Sequence, residues 1–82
     1  MLNIELKSIM KTRVILGRQG YSLRQFSDKV GISQSYLSQI LSKKRNPSPS
    51  VAYKIAEGLN MKVTDIFFIQ YDNKSYHGEA TN

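Results

Sequence analysis

The feature that most restricts the fold of this chain is the short connection between two helix-like stretches. Ser22 is a favourable N-cap for the first, and Gly31 ends it in the left-handed conformation that glycine adopts without steric cost. The second starts after only Gly31 and Ile32, with Ser33 as its cap. Helices joined this closely cannot lie antiparallel, so the pattern predicts the steep crossing of a helix-turn-helix.

Helical spacing of the apolar residues predicts five helices in all and no strand. Helix 1 is expected over residues 5–18, with an apolar face made of Leu6, Met10 and Val14. The residues of helices 2 and 3 that are expected to point inward are Leu23, Phe26, Val30, Leu37, Ile40 and Leu41.

Two more helices are expected in the second half of the chain. Ser48 and Pro49 provide the N-cap and the first position of helix 4, because proline needs no N–H partner there. Asn60 can end this helix in the left-handed conformation, and Thr64 is expected to cap a short helix 5. Their inward residues are expected to be Val51, Ala52, Ile55, Ala56, Leu59, Val63, Ile66 and Phe67.

These elements predict an all-α fold, a compact five-helix domain over residues 1–71. Residues 72–82 carry too few apolar groups to order themselves, so a short extended, disordered polar tail is expected there. A chain of 82 residues suffices for one domain with a modest core.

Composition narrows the classes of function. Without cysteine the chain has no disulfide framework and no thiolate metal site. No apolar run reaches the roughly 18 residues of a membrane helix, and the N-terminus does not resemble a signal peptide. We therefore expect a cytoplasmic protein with no membrane partner. The net charge of +6 favours a polyanionic partner.

Catalysis finds little support in the sequence. His77 is the only histidine and lies in the polar tail, and there is no Cys or His cluster to bind a metal. The serines read as helix caps and helix-face groups with no base beside them. We therefore expect no enzyme, no metal and no cofactor.

One face of helix 3 carries only short polar side chains. When its apolar residues are buried, the outward residues are Gln34, Ser35, Ser38, Gln39 and Ser42. An amide group donates and accepts together, which matches the major-groove edge of adenine, and hydroxyls can do either. A basic run, Lys43 to Arg45, follows at once and could reach phosphates. The alternative interpretation is a plain solvated face beside a charged loop.

The stretches YSLRQFSDKVGISQSYLSQILSKKRNPS and then AYKIAEGLNMKVTDIF together make up 44 of the 82 residues, a little over half of the chain. In these residues, taken in order, the chain resembles the Xre/Cro-type (lambda-repressor-like) helix-turn-helix family. It implies a lambda-repressor-like fold and a sequence-specific regulator of transcription. The implied form is a repressor that binds a palindromic operator on double-stranded DNA as a homodimer, with helix 3 in the major groove.

The resemblance also implies roles for individual residues. Base contacts are implied for Gln34, Ser35 and Gln39. Contacts to the DNA backbone are implied for Ser22, Arg24, Tyr36, Ser38, Lys43, Lys44, Arg45 and Asn46. Ser22 and Arg24 lie at the start of helix 2, where the free N–H groups and the helix dipole favour a phosphate.

Four positions depart from the family pattern. Leu23 stands where many relatives have a glutamine that supports a phosphate contact. Ser27 replaces an alanine, and its hydroxyl can bond to a carbonyl within helix 2. Leu16 and Leu41 stand where relatives often have an Arg–Glu pair, so we expect both to be buried in an apolar contact, a reasonable exchange because buried ion pairs lose much of their Coulomb energy to desolvation.

A dimer interface is expected in the segment after helix 5. Phe68, Ile69 and Tyr71 are left over once the core is assigned, and large apolar groups rarely cluster on the surface of a monomer. Leu2 and Ile4 are candidates to lie beside them. This segment is rich in strand formers and could pair with its symmetry mate. The alternative is that it folds back on its own helix 1, where Leu2 and Ile4 also lack an assigned partner.

Two other functions remain open at this stage. An antitoxin of a toxin–antitoxin pair would also bind its own promoter, although residues 72–82 offer only Tyr76 as an apolar anchor. A protein-interaction module without DNA binding would use the helix 3 face differently. A separate regulatory partner protein would be one source of the controlling signal.

Overall fold

The computed structural model describes residues 2–71, which form five helices and one two-stranded sheet. In chain order the elements are β1 (Leu2–Leu6), α1 (Ile9–Arg18), α2 (Leu23–Val30), α3 (Gln34–Leu41), α4 (Pro49–Gly58), α5 (Val63–Ile66) and β2 (Phe67–Tyr71). The prediction of a mostly helical domain with five helices is confirmed. The all-α fold class is wrong at the two ends of the domain, and the predicted polar tail lies outside the described residues.

The two strands join the beginning and the end of the domain. They pair antiparallel, with Leu2 opposite Tyr71 and Leu6 opposite Phe67. The Lys7 N–H donates to the carbonyl oxygen of Ile66 at 2.9 Å, which ties the sheet to the end of α5. The segment after α5 therefore folds back on its own chain, as the alternative interpretation had it, but it pairs with the strand β1 and not with a helix 1.

Helix α1 begins later than predicted because a serine caps it. The Ser8 hydroxyl accepts a hydrogen bond from the Lys11 N–H at 3.1 Å, and the Thr12 hydroxyl donates to the Ser8 carbonyl at 2.7 Å. A capped start at Ser8 leaves the preceding residues free to be extended. The prediction that this helix starts at residue 5 is therefore wrong.

The apolar face predicted for helix 1 is wrong as well. Leu6 is buried, but it belongs to β1, whereas Met10 and Val14 lie on α1 and are exposed by 75% and 47%. The helix instead turns Thr12 and Leu16 into the core. The spacing of four residues joined a strand residue to two helix residues that face solvent.

Serine caps start the next three helices as predicted. The hydroxyls of Ser22, Ser33 and Ser48 each accept a hydrogen bond from the N–H three residues later. The predicted cap of helix 5 is wrong, because Lys62 is the N-cap of α5 and Thr64 lies within it. The Asp65 carboxylate accepts from the Lys62 N–H at 3.0 Å, and the cap lies two residues earlier than predicted.

The four longer helices end in the same way. A residue with positive φ follows each helix, and the next N–H bonds back to a carbonyl five residues earlier, the pattern of a Schellman motif. The positive-φ residues are Gly20, Gly31, Lys43 and Asn60. The left-handed conformations predicted for Gly31 and Asn60 are confirmed.

The core gathers residues from every element. Its fully buried large side chains include Phe26, Leu37, Ile40, Leu41, Ile55, Leu59, Ile66 and Phe67. Leu16 and Leu41 are both buried, as predicted, so an apolar environment stands where relatives often carry an ion pair. The buried Ser27 hydroxyl donates to the Arg24 carbonyl within α2 at 2.8 Å, also as predicted.

Gly58 lets α4 approach α2 closely. A Cβ atom at this position would lie 2.7 Å from Val30 Cγ1 and 3.0 Å from Phe26 Cζ. Both neighbours belong to the core, so neither can move away cheaply. Gly17 in α1 offers a contrast, because a Cβ there would meet no atom within 4 Å.

We therefore expect opposite effects from two glycine-to-alanine changes. Gly58→Ala should lower the free energy of unfolding by about 1–3 kcal/mol, since overpacking outweighs the better helix propensity of alanine. Gly17→Ala, the matched control, should raise it by roughly 0.5–1 kcal/mol. Urea unfolding followed by circular dichroism measures both. Equal stabilisation by the two changes would show that the α2–α4 contact is looser than the structure has it.

Candidate nucleic-acid interface

Helix α3 is held by one fully buried stripe. Leu37, Ile40 and Leu41 have no solvent exposure, and α3 packs against α2 and α1. The opposite face carries the polar residues as predicted. Gln34, Ser35 and Gln39 are exposed, whereas Ser38 and Ser42 are half-buried. The burial of one stripe thus fixes which side chains α3 presents outward.

The exposed polar groups of α3 differ in whether the domain itself uses them. The Ser33 hydroxyl accepts from the Tyr36 N–H at 3.1 Å, and the Ser42 hydroxyl donates to the Ser38 carbonyl. Within residues 2–71, the side chains of Gln34, Ser35 and Gln39 form no hydrogen bond. Their full donor and acceptor capacity therefore remains for an external partner.

The loop after α3 presents its charges to solvent. The residues from Lys43 to Asn46 are all exposed, and the buried Pro47 anchors the end of the loop. Lys43 has a φ of 63°, the left-handed conformation that a glycine would adopt with less strain. The next N–H, that of Lys44, donates to the Gln39 carbonyl at 2.9 Å, so the loop starts directly from the closed end of α3.

An aromatic stack connects this loop with the start of α3. The Arg45 guanidinium carbon lies 4.7 Å from the centre of the Tyr36 ring, a cation–π contact. Tyr36 is half-buried and packs against the core, so its ring is a firm support. Both residues were predicted to contact the DNA backbone. Their contact with each other was not predicted, because they are nine positions apart and the end of α3 lies between them.

The start of α2 is fixed by a reciprocal pair of hydrogen bonds. The Ser22 hydroxyl accepts from the Gln25 N–H at 3.1 Å, and the Gln25 side-chain oxygen accepts from the Ser22 N–H at 3.0 Å. Arg24 beside them is exposed. Gln25 was missed by the sequence analysis, although Ser22 followed three residues later by a glutamine is the spacing of a capping box. The hydroxyl hydrogen of Ser22 remains able to donate.

The charge of the chain is unevenly distributed. No aspartate or glutamate lies between Asp28 and Glu57, an interval that includes α3 and its loop. The cations in the same interval are Lys29, Lys43, Lys44, Arg45 and Lys54. Neither α3 nor its loop therefore contributes a carboxylate that would repel a polyanion.

A second exposed surface lies on the sheet, and we call Leu2, Phe68, Ile69 and Tyr71 the sheet patch. Their exposed fractions range from 38% for Ile69 to 60% for Tyr71. Successive side chains of a strand point to opposite faces, so Phe68 faces away from Ile69 and Tyr71. The Lys7 ammonium lies 5.3 Å from the Phe68 ring centre. Ile4, the other candidate to lie beside the β2 residues, pairs directly with Ile69, but it is only 4% exposed and belongs to the core.

Residues 2–71 contain no group of three or more His, Cys, Asp or Glu side chains placed to hold a metal ion. No helix among them is long and apolar enough to cross a membrane.

The chain matches known proteins over the region just described. A helix-turn-helix family model (HTH_3) matches residues 9–66. The chain is 34% identical over 55 residues to the uncharacterized HTH-type transcriptional regulator YvzC of Bacillus subtilis, covering 67% of this chain and 71% of YvzC. It is 29% identical over 63 residues to a second such regulator, YgzD, covering 77% and 96%.

A solved structure is similar as well. It is the crystal structure of SinR, the master regulator for biofilm formation, in complex with DNA. The TM-score is 0.62 at 30% sequence identity, with 68% of this chain and 90% of the SinR chain covered. The family match spans α1 to α5, including the α2–α3 pair and its short turn. The chain therefore belongs to the helix-turn-helix family, as its resemblance to Xre/Cro-type regulators had indicated.

Proposed function

We propose that this protein is a sequence-specific DNA-binding regulator of transcription, a cytoplasmic repressor that binds a palindromic operator as a homodimer. The observation that carries the proposal is the face of α3, where Gln34, Ser35 and Gln39 keep their hydrogen-bonding groups unused beside an acid-free basic loop. The DNA in the structure of the similar SinR supports the same partner. A bound regulator would block access of polymerase to the promoter.

Base reading falls to the three exposed residues of α3. An amide can donate and accept in the same plane, so Gln34 and Gln39 each match the adenine edge in the major groove. The Ser35 hydroxyl can donate or accept, as the base requires. Side chains that already bond within the domain, such as the Ser33 cap, are less suited because a base contact would cost them that bond.

Contacts to the DNA backbone surround this reading face. At the start of α2, Ser22 and Arg24 offer a hydroxyl, a cation and the helix N-terminus to a phosphate. Tyr36 and Ser38 lie on α3 beside the base-reading residues. The loop contributes Lys43, Lys44, Arg45 and Asn46. Such contacts set the orientation of the protein and most of the salt dependence of binding, without selecting sequence.

A homodimer is proposed because one helix-turn-helix unit reads few base pairs. Two copies placed one turn of DNA apart read both halves of a palindrome, and each half adds to affinity and specificity. The proposed interface is the part of the sheet patch that lies on β2, with Phe68, Ile69 and Tyr71 at its centre. These side chains are the large apolar groups that β2 leaves exposed.

The base-reading assignment predicts a loss of discrimination. With the best site selected from a pool of random duplexes, Gln34→Ala or Gln39→Ala should weaken binding to that site by about 1–3 kcal/mol and leave non-specific binding unchanged. Asn3→Ala, which removes an exposed amide on β1, is the control and should change neither. Fluorescence anisotropy at fixed salt measures all three. Intact discrimination in both glutamine variants would contradict the assignment.

The left-handed conformation of Lys43 predicts that glycine at this position makes the domain more stable but weakens DNA binding. Lys43→Gly should raise the free energy of unfolding by up to about 1 kcal/mol, because glycine removes the strain of a positive φ. The same change should weaken binding to every sequence and lower the salt slope by roughly one ion. Asn60→Gly removes the same kind of strain after α4 and should leave DNA binding unchanged. Unaltered DNA binding by the Lys43 variant would remove this residue from the phosphate contacts.

The Tyr36–Arg45 stack predicts a ring effect on DNA binding. Tyr36→Leu should weaken binding to all sequences about 2–5-fold more than Tyr36→Phe does, because only phenylalanine keeps the ring that supports Arg45. In an Arg45→Ala background this difference between leucine and phenylalanine should vanish. Anisotropy titrations of the six proteins in this series test the coupling. A difference that persists without Arg45 would mean that the ring acts by another route.

A further inference from the structure

The outer edge of β2 is a surface that the domain leaves open. We infer that two copies of this chain join along this edge, antiparallel about a twofold axis at Ile69, to form a continuous four-stranded sheet. The inference rests on the proposed homodimer and adds the contact atoms and the register. It makes β2, rather than a helix face or the edge of β1, the place where the copies meet.

The alternation of hydrogen-bonded and non-hydrogen-bonded residue pairs in the sheet identifies which backbone groups lie on that edge. The Lys7 N–H bonds to the Ile66 carbonyl at 2.9 Å, and this pair continues the register in which Glu5 faces Phe68 and Asn3 faces Gln70. In an antiparallel pair the residues that exchange hydrogen bonds alternate with those that do not. Phe68 and Gln70 therefore bond inward to β1, and the N–H and C=O of Ile69 point outward.

The start of β2 agrees with this alternation. The Phe67 N–H lies two positions before Ile69 and should also point away from β1. It donates to the Val63 carbonyl of α5, outside the sheet. Ile69 does not directly follow a helix, so its N–H has no helix carbonyl to bond. Its backbone groups are therefore available to another strand.

The chemistry of the two edges differs. Exposed edges are usually protected from pairing by charged residues or proline. β1 contains Glu5 and is followed by Lys7, whereas β2 reads FFIQY, with neither a charge nor a proline. Two copies that each carry a net charge of +6 meet with less repulsion along an uncharged strand than along a charged one.

The strand is also self-complementary about its midpoint. Ile69 is the third of five residues, so a twofold axis there overlaps the whole strand, with Ile69 opposite its counterpart and exchanging two N–H···O bonds with it. Ile69 and Tyr71 then extend one face of the joined sheet, and Phe68 lies opposite the partner's Gln70 on the other. A face-to-face contact could use only one of these two sets.

A cross-linking experiment tests the edge, because the natural chain contains no cysteine. Leu2 and Ile69 share one face of the sheet and are exposed to the same extent, 39% and 38%, but lie on opposite strands. At a protein concentration where wild type sediments as a dimer, Ile69→Cys should be captured efficiently by a short bis-maleimide. Leu2→Cys should give only background cross-linking, since the two copies of β1 lie on the outside of the four-stranded sheet.

A second pair of variants separates backbone from side-chain contact. Ile69→Pro removes the outward N–H and leaves the bonds of Phe68 and Gln70 to β1 in place, as proline is tolerated when its nitrogen faces the free edge. It should raise the dimer dissociation constant about tenfold more than Ile69→Ala does. Thermal unfolding and circular dichroism verify that both variants keep the fold. If the proline variant unfolds, the cysteine pair still decides.

The outcomes test three claims separately: pairing along the β2 edge, formation of a homodimer, and DNA binding. A dimeric wild type in which Leu2→Cys cross-links as well as Ile69→Cys, or in which Ile69→Cys does not cross-link, overturns the edge and leaves the homodimer standing. A wild type that is a monomer at tens of micromolar overturns both. DNA binding, measured separately by anisotropy, can survive either result, so its loss would count against the proposed function alone.

Discussion

The burial of Leu37, Ile40 and Leu41 is the interaction on which the rest of this structure depends. These three side chains have no solvent exposure, and each would cost several kcal/mol to truncate in a packed core. Because they share one stripe of α3, the helix cannot rotate about its axis without exposing them. The direction of Gln34 and Gln39 is thus set by apolar packing on the other side of the helix. A polar face without that anchor would have no fixed orientation toward a groove.

The polar side chains divide into those that build the domain and those left for a partner. Ser8, Ser22, Ser33 and Ser48 cap helices. Hydroxyls that enter the core are satisfied locally, as in the bond of Ser27 to its own helix, and no buried side-chain donor or acceptor in residues 2–71 lacks a partner. A polar group without an internal bond is therefore confined to the surface. Ser33 and Ser35 look alike in the sequence, but the Ser33 hydroxyl caps α3, whereas the Ser35 hydroxyl forms no hydrogen bond within residues 2–71.

Much of the helical part of the fold could be read from the sequence, because its signals depend on neighbours within a few residues. The structure confirms the caps Ser22, Ser33 and Ser48, the left-handed Gly31 and Asn60, and the apolar stripe of α3. The cap of α1 at Ser8 and that of α5 at Lys62 were missed. The sheet depends on a contact between Leu6 and Phe67, which no local pattern reveals. The alternation in LNIEL was a strand signal, but only five residues long, and Leu6 also fitted the helical spacing of Met10.

The candidate site was predictable to a similar degree. Helical periodicity identified the outward face of α3, since that face is what remains when the apolar stripe is buried. The Tyr36–Arg45 stack was not predictable, because it depends on how the loop turns after Lys43. The separation of Phe68 from Ile69 and Tyr71 was missed for another reason. Three apolar residues in a short segment were treated as one cluster, whereas a strand places alternate residues on opposite faces.

The sheet links the proposed dimer to the stability of the domain. The end of the sheet next to α5 is fixed, because Leu6 and Phe67 are buried in the core. Its outer half is partly exposed at Ile69 and at the Leu2–Tyr71 pair. Short two-stranded sheets are marginally stable by themselves in water. A second copy that pairs along β2 would cover Ile69 and satisfy its backbone groups, so association and ordering of the outer half would favour each other. The helices that carry the reading face do not need this ordering, since their core is complete in one chain. Dimer formation would therefore act on operator affinity through the spacing of two finished domains, and not through the folding of either one.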